Sequence, residues 1–95
     1  MKYIIANWKL NGSESLLNEF LNQFSSYNSD NYIVLCPPYL LLSGADRFKA
    51  IDNFYIGSQN VSEFDNGPFT GEISAEILAD YKIVHSIVGH SERRT

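Results

Sequence analysis

The chain has 95 residues, of which 44% are hydrophobic and 19% are charged, a composition typical of one small globular domain. Seven lysines and arginines against eleven aspartates and glutamates give a net charge of −4, which argues against a broad nucleic-acid surface. The single cysteine excludes an internal disulfide and a cysteine-rich zinc site. No apolar run approaches the roughly 18 residues of a membrane span, and the amino terminus is soon too polar for a secretory signal. We therefore expect a soluble, cytoplasmic protein with neither nucleic acid nor a membrane as partner.

The sequence contains four short runs of β-forming residues. Tyr3–Asn7 predicts a first strand and Tyr32–Cys36 a second, which the prolines at 37 and 38 end. Residues 54–59 predict a third strand, and residues 85–89 predict a fourth.

Helical patterns lie between these runs. Ser13 is a candidate N-cap for a helix whose apolar residues recur at helical spacing between 16 and 24. Residues 39–49 predict a second helix, although Gly44 weakens it, and Ser74 is a candidate N-cap for a third. Residues 25–31 predict a polar loop, and the Gly- and Pro-containing residues 61–71 predict a long one.

The order βαβαβαβ indicates parallel strands joined by right-handed crossovers. Parallel strands need cover on both faces, and three helices do not readily cover four strands. We therefore expect residues 1–95 to be a single partial domain, part of a longer α/β chain.

Polar side chains cluster after the predicted strands, where parallel α/β proteins carry their active residues. Lysine, imidazole, amide and hydroxyl groups would meet on one rim, which suits an anionic substrate with a carbonyl to be polarised. The residues concerned are Asn7, Lys9, Gln59, Asn60, His90, Ser91 and Glu92.

Five motifs resemble the triosephosphate isomerase family, in the family's order and spacing along the whole chain. They are ANWKLNG at 6–12, CPPY at 36–39, the pair Gln59–Asn60, GPFTGEIS at 67–74 and VGHSERR at 88–94. The resemblance implies an α/β fold, the amino-terminal part (β1 to β4) of a (β/α)8 TIM barrel with parallel strands. The chain would then hold the first three and a half βα units of a barrel that takes about 250 residues.

The resemblance also implies an activity: interconversion of dihydroxyacetone phosphate and glyceraldehyde 3-phosphate through an enediol(ate), in glycolysis and gluconeogenesis. It implies no cofactor and no metal. His90 matches the neutral histidine that polarises the substrate carbonyl, in a family that is itself an established example of such tuning. A helix amino terminus just after His90 would disfavour the charged ring. Lys9 matches the catalytic cation that binds the substrate and stabilises the enediolate.

Three neighbouring residues match supporting positions. Asn7 matches a substrate-binding amide, with satisfaction of the local backbone as the alternative. Glu92 matches the carboxylate that pairs with Lys9, and also suits the first turn of a helix. Ser91 is expected to cap that helix, or to contact the catalytic glutamate.

The loop at 61–71 matches the family's dimer loop, which inserts into the partner subunit of a homodimer. Phe69 and Thr70 are the matching interface residues. Pro68 stands where the family usually has alanine, and it would stiffen the loop tip.

Other conspicuous residues have structural interpretations. His85 is expected to be a hydrogen-bonded structural histidine, Cys36 a buried small hydrophobe, and Trp8 a packing residue. Arg93 and Arg94 are expected to form structural or interface ion pairs.

The family's glutamate base, its lid and its later phosphate-binding loops have no counterpart in these 95 residues. We therefore expect the chain to be inactive alone. Two alternatives stay open: a noncatalytic remnant that only associates with another subunit, and a different phosphate-handling barrel with a similar first half.

Overall fold

The structure, a computed structural model, describes residues 2–24 and 30–94. Three strands form one parallel sheet in the order β1-β2-β3: β1 at Tyr3–Asn7, β2 at Tyr32–Cys36 and β3 at Phe54–Ile56. Helix α1 spans Glu14–Phe24 and α2 spans Ala75–Asp80, with 3₁₀ helices at Tyr39–Phe48 and Ser91–Arg93. The parallel pairing predicted from the alternating pattern is confirmed.

The strand register brings the carboxyl ends of β1 and β2 level. Tyr3 lies opposite Tyr32, and Asn7 lies opposite Cys36. Val34 lies opposite Tyr55 in the shorter pairing of β2 with β3. Residues that follow these strands are therefore delivered to one edge of the sheet.

Helix α1 begins where the sequence predicts. The Ser13 hydroxyl accepts a hydrogen bond from the Leu16 backbone N–H at 3.1 Å, and Glu14 occupies the first turn. Leu17 is fully buried against the sheet. The core lies between the sheet and the helices, and contains Leu17, Leu35, Leu42, Phe48, Phe54, Ile56 and Leu78.

The second predicted helix is a 3₁₀ helix, and the predicted end at residue 49 falls at its C-cap. Its tight turns bring Gly44, a poor helix former, directly onto α1. A Cβ on Gly44 would lie 2.8 Å from Leu17 Cδ2, too close for an unshifted contact. The same glycine that weakens the helical pattern thus allows the 3₁₀ helix to pack closely.

The third and fourth strands are shorter than expected. β3 ends at Ile56, and residues 85–89 contribute one parallel bridge, between Ser58 and Ser86. Two hydrogen bonds make it, from Ser58 N to His85 O at 3.0 Å and from Ile87 N to Ser58 O at 2.9 Å. The pairing therefore ends at Ile87, and Gly89, with φ +65°, is outside the extended conformation.

Two predicted loops have different outcomes. Residues 61–71 form a loop, tied at its base by a parallel bridge between Ser62 and Ser74. Ser74 caps α2, as predicted, by accepting from the Ile77 N–H at 3.1 Å. The predicted loop at 25–31 lies mostly outside the described residues, as does Thr95. None of the described helices has the length and apolar character to cross a bilayer.

Candidate active site

A polar cleft of about 190 Å³ lies at the carboxyl edge of the sheet. Its polar lining consists of Asn7, Tyr39, Gln59, Asn60, His90, Glu92 and Arg93. The structure thus brings most of the rim residues predicted from the sequence to one place. Lys9 is not part of the lining, but its side chain reaches Glu92 at the cleft's edge.

The end of β1 turns sharply at Lys9. This residue has φ +54°, in the left-handed region that non-glycine residues seldom adopt. The Asn7 side-chain oxygen accepts a hydrogen bond from the Lys9 N–H at 2.9 Å. The alternative raised for Asn7, satisfaction of local backbone, therefore describes one of its contacts.

Glu92 joins the two principal side chains of the site. Its Oε2 lies 3.3 Å from the Lys9 ammonium, and its Oε1 lies 3.6 Å from His90 Nδ1. Lys9 and Glu92 are more than half exposed, whereas His90 is largely enclosed. One carboxylate therefore orients the cation and lies beside the ring.

His90, not Ser91, caps the 3₁₀ helix that follows. The expectation that Ser91 would cap it is wrong, because His90 Nδ1 accepts the Glu92 backbone N–H at 3.0 Å and Ser91 is already the first helical residue. A ring nitrogen that accepts carries no proton, so the neutral tautomer has its proton on Nε2. His90 can then donate from Nε2 to a ligand oxygen.

Gln59 and Asn60 donate hydrogen bonds to different kinds of partner. The Gln59 amide nitrogen donates to Lys9 O at 2.7 Å and to Cys36 O at 3.0 Å. Asn60 donates to Glu72 Oε2 at 2.9 Å.

Glu72 connects two parts of the site, a role that was not predicted from the sequence. Its Oε1 also accepts from Arg93 at 2.8 Å, the structural ion pair expected of that arginine. The carboxylate thus links the end of the 61–71 loop to the 3₁₀ helix that carries Glu92. In the sequence, Glu72 is recognisable as an acidic residue of the GPFTGEIS motif. Its partners could not be predicted locally, because they lie 12 and 21 residues away.

Phe69 and Thr70 lie on the exposed loop and do not line the cleft. The Phe69 ring stacks on Phe64, with centroids 4.4 Å apart and planes at 3°. Gly67 has φ +133°, and a Cβ there would lie 2.7 Å from the Phe69 ring. Phe64 was not singled out from the sequence, because nothing local predicts the stack.

The remaining sequence interpretations have mixed outcomes. Trp8 packs edge-on against Phe20 at 5.2 Å, and Cys36 is buried, as expected. The expected hydrogen bond is absent at one ring nitrogen of His85: its buried Nδ1 has no partner within residues 2–24 and 30–94. Its ring packs on Tyr55 at 4.9 Å instead, so aromatic contact replaces the hydrogen bond.

No group of three or more His, Cys, Asp or Glu side chains that could hold a metal ion occurs in the described part of the chain. What the site offers is hydrogen-bond and charge chemistry: an imidazole whose Nδ1 accepts a backbone hydrogen bond, an ammonium, and a carboxylate between them. Such a set can polarise a carbonyl and stabilise an oxyanion.

Comparison with known proteins agrees with this geometry. A profile of the family described as Triosephosphate isomerase matches residues 2–95. A curated relative named triosephosphate isomerase from Alcanivorax borkumensis is 44% identical over 96% of this chain and 36% of its own length. Relatives of the same name from Buchnera aphidicola subsp. Cinara cedri and Halorhodospira halophila are 42% and 40% identical.

The chain covers 36%, 38% and 37% of these three relatives, a little over a third of each. The parallel sheet with its crossover helices is the corresponding amino-terminal part of an α/β TIM barrel. On the family profile, the relatives and the fold together, the chain belongs to the triosephosphate isomerase family.

Proposed function

We propose that this chain is the first three and a half βα units, residues 1–95, of a triose-phosphate isomerase. The reaction interconverts dihydroxyacetone phosphate and glyceraldehyde 3-phosphate through an enediol(ate), a step of glycolysis and gluconeogenesis. A cytoplasmic location and a reducing compartment go with this proposal. The observation that carries it is the Glu92 carboxylate between Lys9 Nζ, at 3.3 Å, and His90 Nδ1, at 3.6 Å.

His90 is the proposed electrophile. Because its Nδ1 accepts the Glu92 N–H, the neutral ring carries its proton on Nε2, the proposed donor to the substrate's carbonyl oxygen. A neutral N–H donor of this kind stabilises the negative charge that develops on the carbonyl oxygen.

Lys9 is the proposed cation. Its ammonium lowers the energy of the enediolate and attracts the phosphorylated substrate. Glu92 limits where the flexible lysine can point, since the pair is held at 3.3 Å. Asn7 is the proposed substrate-binding amide of the cleft, and Ser91, the first residue of the 3₁₀ helix after His90, is a proposed supporting residue.

The proton-abstracting base lies outside these residues. The resemblance assigns it to a glutamate of a later barrel loop, and general-base catalysis is worth about 10²–10⁴-fold. We therefore propose that the chain acts only when the rest of the barrel is supplied.

We also propose that the barrel works as a homodimer, with Phe69 and Thr70 entering the partner. The stacked pair Phe64–Phe69 supports this, since it presents an ordered aromatic loop on the surface. An association-only remnant would use the same loop, so this loop alone does not separate the two functions.

The test uses a completed chain, defined as residues 1–95 continued by their own downstream reading frame or, if that frame stops, by the remaining segment of the Alcanivorax borkumensis relative. We expect isomerase turnover from the completed chain in a coupled assay and none from residues 1–95 alone. His90→Gln should lower kcat of the completed chain by about 10²-fold or more.

His85→Gln is the matched control, because it removes the other histidine, which lies outside the cleft. A folded completed chain without turnover would overturn the catalytic proposal. If that inactive chain still bound a full-length subunit, the noncatalytic remnant would be the better account.

A further inference from the structure

Gln59 was expected among the polar groups that face a ligand, but its donors are already used. An amide nitrogen carries two N–H groups, and both have backbone partners: Lys9 O at 2.7 Å and Cys36 O at 3.0 Å. The Gln59 side chain therefore has no N–H left for a substrate, although it lines the cleft.

The residue it holds is under backbone strain. Lys9 has φ +54°, a left-handed conformation that residues with a Cβ seldom adopt. Its N–H is held by the Asn7 side chain at 2.9 Å, and its carbonyl is held by Gln59. Two side-chain amides thus fix the peptide groups on both sides of the Lys9 side chain.

The second Gln59 bond ties this turn to the neighbouring strand. Cys36 O accepts from the Trp8 N–H at 3.0 Å as well as from Gln59. Because Gln59 follows β3, one side chain joins the carboxyl ends of all three strands. The direction of the Lys9 side chain is consequently fixed by Gln59, which follows β3 and lies 50 residues away in sequence.

We propose that Gln59 is a positioning residue of the isomerase site: it holds Lys9 in the left-handed conformation from which the ammonium reaches Glu92 and the substrate phosphate. This rests on the proposed function for the ligand, whereas the effect on the Lys9 backbone does not.

The test measures binding of glycerol 3-phosphate, a three-carbon phosphate ester without a carbonyl, to the completed chain by calorimetry. Gln59→Met keeps the side chain's length and removes both donors. We expect it to weaken binding by about 10-fold, because small misplacements of a positioning group can cost up to about 10²-fold. Gln23→Met, the same substitution on the exposed face of α1, should leave binding unchanged.

A double-mutant cycle separates positioning from general structural damage. If Gln59 acts through Lys9, then Gln59→Met should weaken binding no further in a Lys9→Met background. An equal further loss in that background, or no loss in the single variant, would overturn the proposal.

The backbone supplies a readout that does not depend on activity. Crystal structures of the completed chain and of Gln59→Met should show Lys9 leaving positive φ only in the variant. If the completed chain neither binds nor turns over triose phosphate, the proposed function fails while this comparison still decides the role of Gln59.

If Gln59→Met does not fold, Gln59→Glu replaces it, since a carboxylate of the same shape cannot donate. Its binding defect relative to the parent should shrink at low pH, when the carboxyl regains a proton to donate. A Lys9 φ that stays positive without the Gln59 donors overturns the inference in either variant.

Discussion

The thiol of Cys36 lies at the carboxyl end of β2, where the side chain is 1% exposed. Burial raises its pKa from 9.0 to about 11, because the thiolate would lose its hydration, and a hydrogen bond with the Gly57 backbone offsets part of this. The folded state therefore keeps the thiol proton over a pH range in which the unfolded chain releases it.

This difference predicts a loss of stability at high pH. Between pH 9 and about 11 the unfolded state binds fewer protons than the folded one, so the free energy of unfolding falls as pH rises. We expect the stability advantage of the parent completed chain over Cys36→Ala to shrink by about 1–3 kcal/mol across this window. Urea unfolding at pH 8 and at pH 10.5 measures it, with Cys36→Ala cancelling the titration of lysines and tyrosines.

An advantage that is equal at the two pH values would contradict the prediction. It would mean that the thiol ionises equally readily in the folded and unfolded states.

The residue types at the site and the Lys9–Glu92 ion pair were predictable from the sequence, but the partners of Gln59 were not. His90, Lys9 and Glu92 follow from the motifs, and their proximity follows from the rule that parallel strands end at one edge. The consumption of both Gln59 donors by backbone carbonyls depends on atoms 50 and 23 residues away, which no local pattern encodes.

At the scale of elements, the turn at the tip of the loop at 61–71 depends on Gly67. Gly67 has φ +133°, and the Phe69 ring occupies the space where a Cβ would lie. The Phe69 N–H also donates to Gly67 O at 2.8 Å, which closes the turn around Pro68. The stiffening expected from Pro68 therefore acts together with a turn that needs glycine.

Gly67→Ala should weaken the proposed homodimer of the completed chain. The strained φ and the contact at 2.7 Å act in the same direction, both displacing Phe69 from Phe64. We expect the dimer dissociation constant to rise by about 10-fold or more, equivalent to about 1.4 kcal/mol. Analytical ultracentrifugation over a dilution series measures it.

Asp65→Ala is the control, since Asp65 is an exposed residue of the same loop. A dissociation constant that Gly67→Ala leaves unchanged would show that the stacked pair plays no part in dimer formation.

The boundaries of the α-helices were predicted well, because capping residues are local signals. The boundaries of the third and fourth strands were predicted poorly, because they depend on pairing with neighbouring strands. The capping serines 13 and 74 start α1 and α2 as expected. The fourth strand is reduced to one bridge because strand length depends on neighbours, and β3 offers it little to pair with.

At the scale of the whole molecule, one face of β1 is exposed in the part of the chain that the structure describes. Tyr3 and Ile5 are 57% and 58% exposed, on the side opposite Ala6 and Trp8, which pack on the core. Ring contacts run across this face from Tyr3 to Tyr32 at 5.1 Å, from Tyr32 to Tyr55 at 6.0 Å, and on to His85. In a closed barrel, such a face would become interior.

Ile5→Lys should therefore have opposite effects in the two forms. In residues 1–95 alone it should reduce self-association, because a charge on an exposed edge strand opposes pairing with another chain. In the completed chain it should destabilise the fold by about 3 kcal/mol or more, because the charge would be buried without a partner. Light scattering of the short form and urea unfolding of the completed form measure the two effects.

The matched control is Leu10→Lys, which places the same charge on a side chain that is 93% exposed. Monomeric behaviour of the unmodified 95 residues, with a sharp thermal transition, would contradict the expected self-association. Equal stability of the completed chain with and without Ile5→Lys would contradict the interior location.

The sequence alone determined the parallel α/β pattern, the two capped α-helices and the family, and it predicted His90, Lys9 and Glu92 as site residues. These depend on local spacing, on capping chemistry and on motifs, all of which are properties of neighbouring residues. The tertiary structure decided that His90 and not Ser91 caps the last helix, and that Gln59 serves the backbone. It also decided that His85 packs against tyrosine without a hydrogen bond to Nδ1 from the described residues. Those outcomes depend on hydrogen-bond geometry and on contacts between segments distant in sequence, which exist only once the chain is folded.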